Sequence, residues 1–246
     1  MRKVLIHTHS GLGDNICCYG IVKHFAENEF DEVYVSCKEI YLDSVMHLYR
    51  NDDNIFIAPI PNPGNNIGLE FEYVDQICKE QNLELIRIGF DKVKQPFHYT
   101  QFYNQVSVPY EKSWDNFTSL ESTPQSKQLY DSLGLEGKDY VLLISENSYG
   151  KSDLLVHSDL PKIEMYKTDL GTGVFDWLDV IKNAKEIHSV GTGPFHVVDR
   201  ITDFNYNCLF YFHNVRDDFK TIDTRLKWNL IEYEQTPLGY WRSNSR

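Results

Sequence analysis

No stretch of this 246-residue chain offers the run of about 18 apolar residues that a membrane-spanning helix needs. The N-terminal MRKVLIHTHS also lacks the long apolar core of a signal peptide. Basic residues are in short supply: 24 Lys and Arg stand against 36 Asp and Glu, a net charge of −12. That excludes non-specific nucleic-acid binding, which rests on basic patches. It also excludes a purely electrostatic hold on an anionic membrane surface. A local basic pocket for phosphate is still allowed. Cysteines number five, an odd count without C-x-x-C spacing, which reads as reduced thiols rather than a disulfide framework or a zinc site. The acidic pairs Asp52–Asp53 and Asp217–Asp218 lack the D-x-D spacing of a metal motif, so no metal site is expected. Together these absences predict a cytoplasmic protein. The 16 Tyr and 14 Phe favour a packed globular chain over disorder, and the length suits one large α/β domain or two small ones.

The stretch Lys3 to Phe25, KVLIHTHSGLGDNICCYGIVKHF, organises the reading. Lys3 to His7 is a short buried strand, His9 to Asp14 a tight loop with Gly11 and Gly13, and Asn15 to Phe25 a helix. Cys18, Ile21, Val22 and Phe25 share one helical face at i, i+3, i+4, i+7. Glycines let the backbone and a ligand approach closely, and a helix start suits an anion. A nicotinamide fingerprint needs G-x-G-x-x-G and an acid at the end of the second strand. Here the third glycine position is Ile16, and VYVSCK ends without an acid.

Beyond this unit the chain alternates. Strands are expected at Val33 to Cys37, Ile55 to Ile60 and Leu85 to Gly89. Helices are expected at Leu42 to Tyr49, Glu70 to Gln81 (Tyr73, Ile77 and Cys78 inward) and His98 to Val106. Such alternation signals parallel sheet covered by helices. A polar, turn-like stretch around 119–124 marks a boundary, giving domains 1–120 and 121–246. The pattern then restarts. Gln125 to Leu133 is a helix closed by Gly134, and Tyr140 to Ser145 a strand. Lys162 to Tyr166 is a strand, Val174 to Ala184 a helix, and Ile187 to Val190 a strand. Gly191 to Gly193 is a second glycine loop whose helix opens on Pro194. Cys208 to Phe212 is the last core strand; Leu226 to Tyr233 packs across the domain, and the tail from Thr236 is loose. The fold class is therefore α/β, two Rossmann-like domains facing across a cleft, where ligands of open α/β sheets bind.

The motif H-x-H-x-GLGD at 7–14 resembles the N-terminal loop of GT-B glycosyltransferases, especially the heptosyltransferase-like family 9. The stretch DWLDVIKNAKEIHSVGTGPFHVVDRI (176–201) resembles that family's sugar-nucleotide segment. The piece FYFHNVR (210–216) is similar to one in small glycosyltransferase-like proteins of viral and marine microbial origin. The resemblance implies an inverting, metal-independent transferase of the hexosyl or heptosyl class. It would move a sugar from a nucleotide-sugar donor to an acceptor hydroxyl in glycan biosynthesis. No cofactor is implied, the nucleotide sugar being a substrate, and the acceptor is a glycan or lipid-linked glycan. The N-terminal domain would be the acceptor side and the C-terminal domain the donor side.

By that resemblance Asp14 is the general base. Gly191, Thr192 and Gly193 hold the donor diphosphate through backbone N–H groups. Lys151 neutralises the departing phosphate, and Arg216 is a second candidate clamp. His9, Gly11, Gly13, Ser145 and His196 complete the expected substrate-binding set. The helix-capping role that Asp suits is compatible with a base at residue 14; His7 and His188 read as structural, and Trp114 and Trp228 as packing. Two departures bear on activity. The acid that often precedes the family's small-residue loop is replaced by Val190-Gly191-Thr192, and 152–173 is compressed. A non-catalytic sugar-nucleotide or glycan-binding protein and a nucleotide-sugar epimerase are the alternatives.

Overall fold

The chain divides into two units, Met1–Ser119 and Leu120–Arg246, in the computed structural model. The structure describes all residues except 63, 65, 95–98, 116, 118–119, 148–149, 167–172, 216–223, 236–240 and 244–246.

Unit 1 begins with β1 (Lys3–His7), α1 (Leu12–Cys17), α2 (Tyr19–Asn28) and β2 (Glu32–Lys38). It continues through α3 (Leu42–Leu48), β3 (Ile55–Ile60), α4 (Ile67–Gln81), β4 (Glu84–Arg87) and α5 (Thr100–Gln105). The four strands form one parallel sheet in the order β3-β2-β1-β4. The apolar run Val4, Leu5, Ile6 is fully buried because β1 is central and covered on both faces. Leu5 packs with Ala58, Ile60, Val74 and Cys78, so α4 covers that face.

The chain builds outward from β1 to β2 and β3, then α4 carries it back to the far side of β1. Connections thus leave β1 in one direction and return at β4 in the other. That reversal opens a crevice at the C-terminal ends of β1 and β4, the place where open α/β sheets bind ligands.

The single helix expected over residues 15–25 is two helices broken at Cys18. The Tyr103 hydroxyl donates to the Cys17 carbonyl at 2.8 Å, and the Ile21 amide bonds Cys18 O at 3.0 Å. Gly20 is required at the start of α2: a Cβ there would lie 2.0 Å from the Lys112 carbonyl oxygen. Cys18, Ile21, Val22 and Phe25 are buried as the periodicity implies.

Unit 2 contains α6 (Pro124–Ser132), β5 (Val141–Ile144), the short hairpin β6 (Glu146–Asn147) and β7 (Gly150–Lys151), and β8 (Lys162–Glu164). After these come α7 (Leu178–Lys182), β9 (Glu186–Ser189), α8 (Gly193–Val198), β10 (Leu209–Asn214), β11 (Trp228–Gln235) and β12 (Trp241–Ser243). Its six-stranded sheet runs β12-β11-β10-β9-β5-β8. All neighbours are parallel except β11 with β12. The reversal here lies between β5 and β9.

Two expectations are corrected in unit 2. The helix over 174–184 is a 3-10 turn at Gly173–Trp177 followed by the short α7. Its Trp177, Val180, Ile181 and Ala184 are nonetheless fully buried. Strand β10 is not the last: Leu226 to Tyr233 does not cross the domain but supplies β11, parallel to β10, and residues 241–243 return beside it. The carboxylate of Asp199 sets that strand in place. It accepts from the amides of Arg225 and Leu226 at 3.0–3.1 Å and from the Trp228 indole N–H at 3.1 Å. Trp228 packs on Phe195 and Phe210.

Among the described residues no helix is long and apolar enough to cross a membrane. The five cysteines are free thiols.

Candidate active site

Residues 8–14 leave β1 at the unit 1 crevice. Ser10 takes a left-handed φ of 54°, tied down by its amide to Thr8 Oγ1 at 3.3 Å and by its hydroxyl beside Ser36 Oγ at 3.1 Å. The turn ends earlier than the motif suggests. Gly11 is the N-cap of α1, Gly13 is helical, and Asp14 sits in the first turn rather than capping it. A carboxylate there gains from the positive end of the helix. A Cβ on Gly11 would come within 2.8 Å of Asp14 Oδ2, so this glycine makes room for the carboxylate.

Asp14 keeps about a fifth of its side-chain surface exposed, 19%. Burial pushes its carboxyl above the ordinary carboxylate range, while His9 and Lys38 pull it part of the way back. A raised proton affinity is what a carboxylate needs to accept a proton from a hydroxyl group.

His9 is fixed by a contact with β4's exit. The Phe90 amide donates to His9 Nε2 at 2.8 Å, so that nitrogen is unprotonated in the neutral ring and the proton sits on Nδ1. Nδ1 lies 3.9 Å from Asp14 Oδ1. Phe90 and Phe102 set their rings across the imidazole, edge to face, at 4.6 and 5.5 Å. The backbone that delivers the Phe90 amide is unusual: Gly89 has φ 93° and Phe90 φ 56°. A Cβ on Gly89 would meet His9 Nε2 at 2.9 Å. Non-glycine residues at positive φ cost energy and mark sites where the surroundings impose the geometry.

Beneath this layer lies a buried relay. Arg87 Nε donates to His7 Nδ1 at 3.4 Å, and His7 Nε2 faces Glu70 Oε1 at 3.1 Å. Glu70 Oε2 meets Lys38 Nζ at 3.7 Å. Burial lowers the His7 pKa, and the Arg87 N–H aimed at Nδ1 suits the unprotonated nitrogen of a neutral ring. Burial alone would raise Glu70, but hydrogen bonds from His7 and Ser10 and the Lys38 charge outweigh it and hold it low. His7 is therefore structural. Glu70 and Phe90 are the residues sequence reasoning missed. Glu70 had a signal, since it shares the inward i, i+4, i+8 face with Val74 and Cys78 once α4 is started at Ile67. Phe90 acts through its amide and had none.

The second group of expected residues lies in unit 2. The Val190 amide extends the pairing of β9 with β5 by bonding Ile144 O at 3.0 Å, so Ser145 and Gly191 leave the sheet at its reversal point. Thr192 is the N-cap of α8, with extended backbone, and Pro194 opens the helix. The Ser145 hydroxyl donates to Glu164 Oε1 at 2.5 Å, and Lys151 Nζ donates to Glu164 Oε2 at 2.6 Å. Those two bonds hold the Glu164 carboxyl below its usual range. Ser145, Lys151 and Glu164 thus form one cluster at the C-terminal ends of β5 and β8, and Glu164 had not been expected there.

His196 does not fit a phosphate contact. It is 5% exposed, its carbonyl accepts from Arg200 Nη1 at 2.9 Å, and burial followed by the Arg200 charge lowers its pKa to about 3. A buried neutral imidazole offers an anion no charge. Arg216 lies outside the described residues. Asp199 and Arg200 are buried. His188 is structural, donating or accepting through Nδ1 with His213 Nε2 at 2.9 Å while His213 Nδ1 meets the Tyr233 hydroxyl at 2.6 Å.

No protein-family model matches the sequence, and no curated protein does. Among solved structures, the glycosyl transferase family 9 structure from Veillonella parvula DSM 2008 matches with a TM-score of 0.58. The match covers 96% of this chain and 88% of that one at 11% identity. At that identity the likeness establishes the fold: the chain has a two-unit α/β fold of the kind seen in that glycosyltransferase.

Proposed function

We propose that the protein is a glycosyltransferase that moves a sugar from a nucleotide-sugar donor to an acceptor hydroxyl, with Asp14 as general base. The observation that carries this reading is the presentation of Asp14. Its carboxyl stands at the crevice of unit 1, with proton affinity raised by burial and His9 locked beside it. The chain-length likeness to a family 9 glycosyltransferase fold supports the reaction class.

In the reaction Asp14 accepts the proton of the acceptor hydroxyl as its oxygen attacks the anomeric carbon. The sugar–phosphate bond breaks on the opposite side, the nucleotide leaves with the electron pair, and the configuration inverts. His9 Nδ1–H stabilises the carboxylate in its ionised form before the proton arrives. In unit 2 the backbone of Gly191, Thr192 and Gly193 receives the donor diphosphate, which fits their position at that sheet's reversal point. Lys151 supplies positive charge to the leaving phosphate, so the reading requires no metal. His196 has a packing role. The test is release of nucleotide from UDP-, GDP-, ADP- and CMP-sugars with a glycan panel, the product's anomeric configuration being read by NMR. Inverted product from one donor is expected; retained configuration or no transfer from any donor would overturn the reading.

One observation favours a second reading. Glu164 engages both Ser145 and Lys151, so the cation meant for the leaving group already has a partner. A non-catalytic sugar-nucleotide binder needs no free cation there. It would bind nucleoside diphosphates yet release none from their sugars.

A further inference from the structure

A pocket of about 320 Å³ opens in unit 1 at the exit of β4. Its lining combines Phe71, Phe90 and Leu85 with Arg87, Asp91 and Lys92. The two phenylalanine rings stand edge to face, 4.9 Å apart at 82°, and form an apolar corner. The Arg87 guanidinium lies over Phe71 at 4.5 Å and donates to Asp75 Oδ1 at 2.6 Å.

The charges around the pocket balance. Arg87 is matched by Asp75, and Lys92 stands next in sequence to Asp91. A phosphate or carboxylate is recognised by cations in excess; of the two cations here Arg87 is already held by Asp75 from outside the lining, which leaves Lys92 against Asp91. The lining offers donors from Arg87 and Lys92 and acceptors from Asp91, a set that matches hydroxyl groups, which both donate and accept. A sugar ring has an apolar C–H face for the phenylalanine corner and a rim of hydroxyls for the charged groups. The volume is at the lower end of the ~300–1,000 Å³ typical of ligand sites, room for one ring rather than a nucleotide.

The pocket connects to the proposed base through two intervening residues, Phe90 and His9. Phe90 lines it, packs on His9 at 4.6 Å, and gives its amide to His9 Nε2; His9 Nδ1 is 3.9 Å from Asp14. We infer that this pocket is the subsite for the acceptor's sugar ring, taking a neutral pyranoside whose attacking hydroxyl is directed toward Asp14. The inference rests on the reading of Asp14 as base and adds the acceptor's chemical class and its place.

The experiment is saturation-transfer NMR on the full chain with methyl α-glucoside, α-galactoside, α-mannoside, N-acetylglucosaminide and, as the anionic comparison, methyl glucuronide. At least one neutral pyranoside is expected to show ring-proton saturation, with glucuronide weaker. Phe71→Leu, which keeps the apolar volume, and the exposed-site change Lys92→Glu should each raise its Kd about tenfold, the order expected for removing an aromatic or polar anchor. Thermal melts of both variants establish that they are folded. No neutral binding, tighter glucuronide binding, or binding that ignores both substitutions would overturn the inference. Donor turnover is measured in parallel. Transfer in the wild type without pocket-dependent pyranoside binding sinks the subsite alone. Pocket-dependent binding without any transfer sinks the reading of Asp14 instead.

Discussion

Gly89→Ala tests whether the backbone at the exit of β4 holds His9 in place. The glycine has φ 93°, and an added Cβ would lie 2.9 Å from His9 Nε2 and 3.0 Å from Phe102 Cε1. Two costs arise. Forcing an L side chain into this conformation costs about 1–3 kcal/mol. Displacing His9 gives up the Phe90 amide bond, about 1 kcal/mol. Together they predict a loss of about 2–4 kcal/mol, and for a chain of this size roughly 2–4 °C in Tm per kcal/mol. Gly64→Ala is the matched control in the same unit. Its φ of 64° is also left-handed, but a Cβ there meets nothing within 4 Å, so only the conformational cost of about 1 kcal/mol applies. Thermal melts of the two variants, with histidine 15N spectra to read the His9 tautomer, make the assay. A Gly89→Ala protein as stable as Gly64→Ala, with His9 still unprotonated at Nε2, would refute the packing argument.

Other outcomes follow from the same structure. Asp14→Asn should raise Tm at neutral pH while abolishing transfer. The raised pKa means the ionised carboxylate opposes folding, so the gain is absent below the ordinary carboxylate pKa, grows through the raised one and stays above it; melts from pH 3 to 8 check this. His213, fully buried with its pKa lowered to about 3, binds its proton only in the unfolded chain between that value and 6.5. His213 should therefore contribute a fall in stability of about 1.4 kcal/mol per pH unit below 6.5, on top of the fall from the likewise buried His196. His213→Gln should flatten that slope in urea titrations relative to the wild type. Glu164→Gln should release Lys151 and tighten binding of a nucleoside diphosphate by up to about fivefold, the small effect expected of an exposed pair; unchanged or weaker binding by calorimetry would count against Lys151 as the leaving-group cation.

Much of this fold was legible because its strands are short, apolar and separated by turn residues. Ile55 to Ile60 appears as read, and the buried face of α2 follows the helical period. What was not legible depends on partners distant in sequence. The break at Cys18 needs the hydroxyl of Tyr103, and β11 needs the carboxylate of Asp199 to turn the chain into the sheet. The glycine loop and Asp14 could be picked out from spacing, but the packing that fixes His9 beside Asp14 could not. It comes from the return of β4 beside β1, which brings Phe90 to His9 across 81 residues. Likewise, nothing local to Lys151 announces that Glu164 holds it.

The most direct test of the account is the pH dependence of transfer by the wild type and by His9→Asn. If Asp14 is the base, kcat/KM rises with pH through a single ionisation above the ordinary carboxylate range. His9→Asn moves that limb to higher pH, because His9 is the first of the groups, Lys38 among them, that pull the Asp14 pKa down. A flat profile, or a limb that stays in place when His9 is removed, would contradict it.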